Sequence, residues 1–291
     1  MAPSGPILRW LLIFLVVQLW VQAPSIRAAE EKAHLHIGII PHRSHMGNET
    51  AYSPLIDALE TVTGYRIDWA AGATYDAVVD LIGSGLVDIA YLGPFSYVDA
   101  RDRFQVQLLA RTVSEGGKAY YRSMIVTRRD SDIQQMADLK GKAFAFTDPK
   151  STSGYLFPLM GLQQNGLSRG DLGEVRFLKR HANSLLAVVY GHVPAGAISS
   201  TAFDKVDVDR GSLRVLWRSK PIYRGPWVAR RDLPKDIVRT LRAALLAISQ
   251  SPQADTIFAH LGTKGFVVGE DRDYDTIRQV RRLSLAATQA P

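Results

Sequence analysis

Three consecutive hydroxyl side chains are the residues of this chain whose types and spacing best suit the binding of an anion. Ser151, Thr152 and Ser153 follow a short apolar, strand-like run that ends at Phe146, and they precede an apolar, helix-like stretch from Leu156 to Leu162. The first N–H groups of a helix have no partner within it, and the helix dipole makes that end partly positive. A strand, a hydroxyl-rich turn and a helix can therefore hold an oxyanion. The alternative is that one hydroxyl merely caps the helix.

Sequence patterns typical of enzymes are absent around this turn. Ser153 lacks the Gly-x-Ser-x-Gly nucleophile elbow, and the chain has no Gly-x-x-x-x-Gly-Lys phosphate loop. Asp88 and Asp148 are typical of strand-end and turn residues rather than of a paired acid and base. The sequence thus predicts no catalytic residue, and hydrolysis of a phosphate ester is the enzymatic alternative.

Four histidines near the start of the apolar pattern raise the alternative of a metal site. His34 and His36 lie on the same face of a predicted strand, because side chains alternate along a strand, and His42 and His45 follow closely. This spacing is a weak metal signature. No metal ion and no cofactor are predicted.

Composition narrows the class of protein. The chain has 291 residues, which is enough for two modest cores, and it contains no cysteine, so disulfides, thiolate nucleophiles and Cys-ligated metals are excluded. The formal charge is +7, but the basic residues are scattered or paired rather than arranged in an aromatic-interleaved stripe. No nucleic-acid partner is predicted.

The N-terminal segment predicts export. Arg9 precedes an almost wholly apolar run from Trp10 to Val21, and Ile26-Arg27-Ala28 is an acceptable cleavage site. Residues 1–28 are therefore predicted to be a signal peptide, and the protein to be periplasmic. Without cysteine it is not a lipoprotein; an uncleaved N-terminal anchor is the alternative.

The elements that position the hydroxyl turn alternate between strand-like and helix-like segments from Leu35 onward, which predicts an α/β fold with mostly parallel strands. Two lobes fit the length. We predict a first lobe of residues 29–125 completed by residues 222–291, and a second lobe of residues 126–221. Ligands of such folds bind beyond the carboxyl ends of the strands, in the cleft between the lobes.

Several segments together resemble one family, the periplasmic solute-binding proteins of the phosphate/phosphite/phosphonate class of ABC importers. They are Ile37-Gly38-Ile39-Ile40-Pro41, the run from Asp88 to Tyr97 that contains Tyr91-Leu92-Gly93-Pro94, the turn from Asp148 to Tyr155, and His181 with the helix from Leu185 to Tyr190. The similarity covers about Leu35 to Leu245.

The resemblance implies a two-lobe periplasmic-binding-protein fold of the type II kind, with a two-strand hinge and a closing cleft. It implies a small oxyanion ligand (phosphonate, phosphite or phosphate), an ABC permease as partner, and no enzymatic activity. Ser151, Thr152 and Ser153 match the family's oxyanion-binding turn, and His181 matches a histidine that reaches the same group. The alternative for His181 is a histidine that ends a strand and caps the next helix. Tyr91 and Tyr97 fall on the matching run of the first lobe; the alternative for Tyr97 is a core aromatic.

Two positions depart from the family pattern. His42 stands where the family often has tyrosine, at the cleft end of the first strand, and is predicted to contact the ligand. Pro194 replaces an acidic residue common in this class, and the nearest candidates for a polar contact are Ser200, Thr201 and Asp204. Since an ammonium group needs a carboxylate partner, we expect a compact oxyanion or an anionic head to be preferred over an aminoalkyl phosphonate.

One alternative from a different class stays open at this point. The same fold can serve as a periplasmic sensor that binds its ligand and then docks on a histidine kinase or another membrane receptor. The cleft would be the same in both cases.

Overall fold

The structure is a computed structural model that describes residues 33–288. The chain forms a compact unit from His34 onward, and the predicted signal peptide lies outside the described residues. The strands, in chain order, are β1 (His34–Ile39), β2 (Arg66–Ala70), β3 (Ile89–Tyr91), β4 (Gln107–Ser114), β5 (Tyr120–Tyr121), β6 (Ser123–Arg128), β7 (Phe144–Phe146), β8 (Val175–Phe177), β9 (Ala195–Ser199), β10 (Leu213–Arg218), β11 (Ile222–Tyr223), β12 (Pro226–Ala229) and β13 (Thr263–Val267).

Nine α-helices connect these strands within the described residues. They are α1 (His45–Thr63), α2 (Tyr75–Gly83), α3 (Pro94–Phe104), α4 (Phe157–Gln164), α5 (His181–Val189), α6 (Ser200–Lys205), α7 (Lys235–Ile248), α8 (Ala254–Phe258) and α9 (Asp275–Thr288). Local signals explain where several begin. The hydroxyls of Ser44 and Thr74 cap α1 and α2, and Pro94 occupies the first position of α3, where a missing N–H costs nothing.

The strands form two large sheets. The first has six strands in the order β13–β4–β12–β3–β1–β2, and the second has five in the order β10–β6–β9–β7–β8. In the first sheet β1 pairs in parallel with β2 and β3, whereas β12 runs antiparallel to both β3 and β4. In the second, β7 pairs in parallel with β8 and β9, and β6 is antiparallel to β9 and β10.

The α/β fold class predicted from the sequence is confirmed, but the prediction of mostly parallel strands is wrong. Each sheet keeps a parallel half built from strand–helix–strand units, where a crossover helix returns the chain in the same direction. β6 and β12 are the strands that follow the two passages of the chain from one sheet to the other. They run in the opposite direction and pair antiparallel with their neighbours. The segment from Tyr120 to Arg128 forms two short strands, β5 and β6, and β13 forms one edge of the first sheet.

The chain passes between the two large sheets twice. It leaves the first sheet after β4 and enters the second at β6, and it returns from β10 to β12. Between these points β5 and β11 pair antiparallel as a separate two-stranded sheet, with Tyr121 opposite Ile222 and Tyr120 opposite Tyr223. Two adjacent crossing segments form a hinge about which the sheets can move.

The cores lie between each sheet and its helices. One buried cluster lies on the side of the first sheet and contains apolar residues of α2, α3 and the β3–β12 region, including Val78, Val98 and Val228. Two further clusters lie against the second sheet; Phe144 and Leu162 belong to one, Met124 and Leu185 to the other. Among the described residues no helix combines the length and apolar character needed to cross a membrane.

Candidate functional site

A cavity of about 290 Å³ lies between the two sheets. Its walls come from the carboxyl ends of strands in both sheets and from the hinge: Ile40 follows β1, Tyr91 ends β3, Ser199 ends β9, and Tyr121 belongs to β5. Parallel strands place their carboxyl ends at one edge of a sheet, where helices begin. The fold therefore directs loop and helix N-terminal residues of both sheets into one space.

The hydroxyl turn forms one wall of this cavity. It follows β7 and enters a single turn of π-helix, Thr152–Leu156, that leads into α4. The Ser151 hydroxyl accepts a hydrogen bond from the Gly154 N–H at 3.0 Å, so this residue is the helix cap. Thr152 and Ser153 are also buried and line the cavity. Capping by Ser151 thus leaves two further hydroxyls available to a ligand.

Glycine is required within this turn for steric reasons. A Cβ added at Gly154 would lie 2.2 Å from Thr147 Oγ1 and 2.4 Å from Thr147 Cβ. The Gly154 carbonyl accepts from the Thr147 N–H at 3.0 Å, which holds the turn against the end of β7. The close approach positions the hydroxyls at the strand end.

The turn also contacts the first sheet's helices directly. The Phe95 N–H at the start of α3 donates to Thr152 Oγ1 at 2.8 Å, and the Ser96 hydroxyl donates to the Lys150 carbonyl at 3.2 Å. The Lys150 ammonium pairs with Asp99 at 2.9 Å. These bonds join elements of the two sheets across the cleft, as expected for a closed arrangement.

His181 begins α5 and faces the hydroxyl turn. Its Nδ1 accepts a hydrogen bond from the Ser199 N–H at 3.1 Å, which places the proton of the neutral ring on Nε2. That Nε2 lies 3.5 Å from Ser153 Oγ. Desolvation, with a smaller contribution from His42, lowers the pKa of His181 to about 3. The ring is therefore neutral at physiological pH and presents an N–H donor.

His42 follows β1 and lies on the opposite wall. Its Nδ1 donates to the Ile40 carbonyl at 3.0 Å, so Nε2 of the neutral ring carries the lone pair. Desolvation, followed by the charge of Arg43, lowers the pKa of His42 to about 4. The two imidazoles thus differ in role: His181 offers a donor and His42 an acceptor.

Aromatic rings close the rest of the cavity. Tyr91 packs against His42, Tyr52 and Trp227 with ring centroids 5.8–6.2 Å apart. Burial raises the pKa of Tyr121 to about 12, and interaction of its hydroxyl with Ser153 and Thr152 opposes this shift. Tyr121 is therefore protonated and belongs to the hydroxyl cluster.

Three cationic side chains line the cavity, and no Asp or Glu of the described residues does so. Lys205 pairs with Glu115 at 3.0 Å. Arg43 and Arg224 form no ion pair within the described part of the chain, and Nε of Arg224 is buried without a hydrogen-bond partner. An uncompensated positive charge in a desolvated cavity favours an anionic ligand.

Six of the seven predicted site residues line the cavity: Ser151, Thr152, Ser153, His181, Tyr91 and His42. Tyr97 does not line the cavity, and the prediction that it contacts the ligand needs correction. Its position in α3 turns the ring inward, where it packs on Tyr274 at 4.7 Å between centroids and donates its hydroxyl to Asp271 at 2.7 Å. Tyr97 is a core aromatic with a satisfied hydroxyl.

Pro194 also lies away from the cavity. It precedes Ala195, the first residue of β9, whereas the cavity is at the other end of that strand, at Ser199. A residue at this position cannot select the ligand by contact. Of the three nearby candidates, Thr201 lines the cavity, while Ser200 and Asp204 line a neighbouring one.

The four histidines of the metal alternative do not meet. His34 and His36 stack on each other at the start of β1, near Asp68. His42 faces the anion cavity, and His45 is exposed and lies 3.4 Å from Glu49.

Several lining residues were missed by sequence reasoning. The principal ones are Tyr52, Tyr75, Tyr121, Arg224 and Trp227. Tyr121, Arg224 and Trp227 belong to the hinge and to β12, so the passage between sheets, rather than a local motif, brings them to the cavity. The run Arg224-Gly225-Pro226-Trp227 offered one signal: a Cβ at Gly225 would lie 2.1 Å from the Leu92 carbonyl oxygen, so glycine permits close packing there.

This combination of two sheets, a two-strand hinge and a polar cavity at the strand ends defines a two-lobe ligand-binding protein. The chain matches, over residues 37–274, the family described as the phosphonate ABC transporter periplasmic substrate-binding protein. It belongs to this family, which confirms the resemblance noted in the sequence.

Individual proteins are similar to this chain in sequence or in fold. The chain is 30% identical over 275 residues to the phosphate-import protein PhnD of Mycolicibacterium smegmatis, covering 84% of each chain. A binding protein of an ABC phosphonate transporter from Pseudomonas aeruginosa has a similar structure, with a TM-score of 0.80, 23% identity and coverage of 88% and 87%. PhnD1 of Prochlorococcus marinus, solved with methylphosphonate, gives a TM-score of 0.77 at 20% identity, with coverage of 86% and 97%.

Proposed function

We propose that this protein captures a small phosphorus oxyanion (a phosphonate, phosphite or phosphate) in the periplasm and delivers it to an ABC permease. Residues 1–28 act as the signal peptide. The observation that carries the proposal is the pairing, inside one desolvated cavity, of the Thr152 and Ser153 hydroxyls with the Nε2–H donor of neutral His181.

The donors suit a tetrahedral oxyanion. A hydroxyl or imidazole N–H that donates to a charged oxygen forms a hydrogen bond of about 1.5–3 kcal/mol, roughly twice a neutral one. Arg43 and Arg224 add attraction, since neither has an ion-pair partner among residues 33–288, and no carboxylate of these residues lines the cavity to repel an anion. The lone pair of His42 Nε2 can accept from a protonated ligand oxygen.

Capture proceeds by closure of the predicted lobes, residues 29–125 with 222–291 against residues 126–221. The strands of the six-stranded sheet fall in the first set and most of those of the second sheet fall in the other. The bonds from Phe95 to Thr152 and from Lys150 to Asp99 form only when the two sides meet, so closure and anion binding support each other. No bond is made or broken in the ligand, and we expect no turnover.

Isothermal titration tests the proposal. The full chain is expressed, exported and purified, stripped of ligand, and titrated with phosphate, phosphite, methylphosphonate, 2-aminoethylphosphonate and sulfate. We expect one phosphorus anion to bind with micromolar or tighter affinity, and Ser153→Ala to weaken that binding without lowering the melting temperature of the free protein substantially. Absence of binding by every phosphorus anion would refute the proposed ligand class.

A further inference from the structure

A second cavity of about 520 Å³ adjoins the first. The two share five lining residues, which are Tyr121, Thr201, Lys205, Arg224 and Gly262. The second cavity lies between the hinge and α6. A ligand whose phosphoryl group occupies the hydroxyl turn could thus extend a substituent past these shared residues.

Arg224 is the shared residue whose hydrogen-bonding capacity is least used. Its Nη2 donates to Thr201 Oγ1 at 3.3 Å, which is a long bond, and its buried Nε has no partner in the described part of the chain. Leaving a buried N–H of a charged group without an acceptor is costly, so native proteins rarely do so without a ligand or water to supply one. The planar fork of a guanidinium matches the two oxygens of a carboxylate.

Arg224 is separated from the phosphoryl site by one ring. Its guanidinium carbon lies 5.9 Å from the centroid of Tyr121, whose hydroxyl interacts with Thr152 and Ser153. Its main chain is fixed independently of the side chain, because its N–H donates to the Ala119 carbonyl at 3.1 Å and its carbonyl accepts from the Tyr274 hydroxyl at 2.9 Å. The side chain is therefore held beside, rather than within, the hydroxyl cluster.

The charges of the second cavity also favour an anion. Four basic residues line it, namely Lys118, Arg122, Lys205 and Arg224, against two acidic ones, Glu115 and Asp204. Glu115 is already paired with Lys205, and Asp204 is exposed on α6. The local excess is positive on the side that a substituent would enter.

We infer that Arg224 forms a second anion subsite, and that the preferred ligand is a phosphonate or phosphate monoester whose substituent carries a carboxylate or similar anionic group. This inference rests on the proposed function and names its ligand class. The phosphoryl group lies at the Ser151–Ser153 turn, and the second group accepts a hydrogen bond from the Nε–H of Arg224, which has no partner among the described residues. An ammonium substituent would instead meet a positive field.

Titration with matched phosphonates tests this assignment. The probes are methylphosphonate, phosphonoacetate, 3-phosphonopropionate and 2-aminoethylphosphonate, the two carboxylates differing by one methylene. We expect at least one carboxylate to bind about tenfold or more tightly than methylphosphonate, the effect of one charge-assisted hydrogen bond, and the aminoethyl compound to bind more weakly. Arg224→Gln should remove the advantage of the carboxylate, so that the carboxylates lose more affinity than methylphosphonate does.

Each other outcome overturns a distinct statement. Equal binding of carboxylates and methylphosphonate refutes the subsite alone, and equal loss of both in Arg224→Gln means that Arg224 holds the phosphoryl group. Tighter binding of 2-aminoethylphosphonate would assign the substituent to Asp204 instead. If no phosphonate binds at all, the proposed function fails as well.

Lys264→Gln removes one exposed charge outside both cavities and serves as the matched control. Melting temperatures report whether each variant folds.

Discussion

The main-chain N–H of Phe95 donates to the side-chain oxygen of Thr152 at 2.8 Å, across the cleft between the two sheets. A threonine hydroxyl has one proton to donate and can accept at the same time. Because its oxygen already accepts from Phe95, its proton remains available to an anion. One hydroxyl therefore links the first residues of α3 to the hydroxyl turn across the cleft.

Replacement of Thr152 should weaken oxyanion binding. Thr152→Ala removes a charge-assisted hydrogen bond of about 1.5–3 kcal/mol, which corresponds to an increase of about 10- to 150-fold in Kd. Thr152→Ser keeps the hydroxyl and is expected to bind within about threefold of the wild type. Isothermal titration measures both variants, and an unchanged Kd for Thr152→Ala would remove this residue from the site.

Two tyrosines separate a ligand contact from a core role. Tyr121→Phe removes a hydroxyl of the cavity cluster and should raise Kd, whereas Tyr97→Phe removes only the bond to Asp271. The second change should cost about 1 kcal/mol of unfolding free energy, since Asp271 is partly exposed, and should leave Kd unchanged. Titration of the two variants measures Kd, and urea unfolding measures their stability. An affinity loss in Tyr97→Phe would contradict the inward placement of that ring.

Acid should destabilise the protein through His181. Its pKa is about 3 in the folded chain and about 6.5 in an unfolded one, so the unfolded state binds more protons between these values and stability falls as pH decreases. The contribution is fully present above pH 6.5 and amounts to a loss of up to about 2 kcal/mol on going from pH 7 to pH 5. Urea unfolding at both pH values measures it. His181→Gln should show a smaller difference, and an equal difference would exclude His181 as the cause.

Lys150 should act on closure rather than on the ligand. Its ammonium pairs across the cleft with Asp99 at 2.9 Å and lies 3.5 Å from Asp76. Lys150→Met does not strand Asp99, which still pairs with Arg103 at 3.2 Å. The loss of about 1 kcal/mol should weaken ligand binding several-fold through a more open free state, visible as a larger radius of gyration in X-ray scattering.

The control for this closure effect is Lys142→Met. Lys142 pairs with Asp132 at 2.7 Å. Both residues lie within the predicted second lobe, residues 126–221, so this pair does not cross the cleft. The control should leave both affinity and size unchanged. If the two variants bind alike, the Lys150 pair does not contribute to closure.

A methyl group at Gly154 should disturb the hydroxyl turn. The added Cβ would meet Thr147, whose Oγ1 lies 3.1 Å from Nδ1 of His181, so the shift reaches the imidazole. Gly154→Ala is expected to lower the melting temperature and to weaken binding together, with an overpacking cost of about 1–3 kcal/mol. Gly170→Ala, where the nearest atom is 3.5 Å away, is the matched control. Wild-type behaviour of Gly154→Ala would show that the turn can relax.

The sequence predicts the parts of the site that are local. A strand, the Ser151–Ser153 turn and a helix are adjacent in the chain, so their geometry follows from short-range capping and periodicity. Tyr97 was misplaced because it lies about one turn further along α3 than Pro94: the start of the helix lines the cavity, and the next turn is already buried in the core.

The missed residues depend on topology. Arg224 and Trp227 reach the cavity because β12 inserts between β3 and β4, more than one hundred residues earlier in the chain. Apart from Gly225, their local pattern is that of an ordinary extended segment. Likewise, the antiparallel halves of the sheets arise from the two passages through the hinge, which periodicity does not encode.

The position of β12 has a consequence for how the polypeptide acquires its shape as it emerges, N-terminus first, from a ribosome or a translocation channel. All strands of the second sheet lie within Ser123–Arg218, so that sheet has every strand it needs before β12 appears. The first sheet does not: β3 and β4 each pair with β12 and not with each other. Until Ala229 has emerged, these two early strands keep unpaired edges, which are templates for mispairing with other chains. The first sheet is therefore the one that begins to form first and is completed last. It is the sheet whose strands need protection from aggregation in a nascent chain.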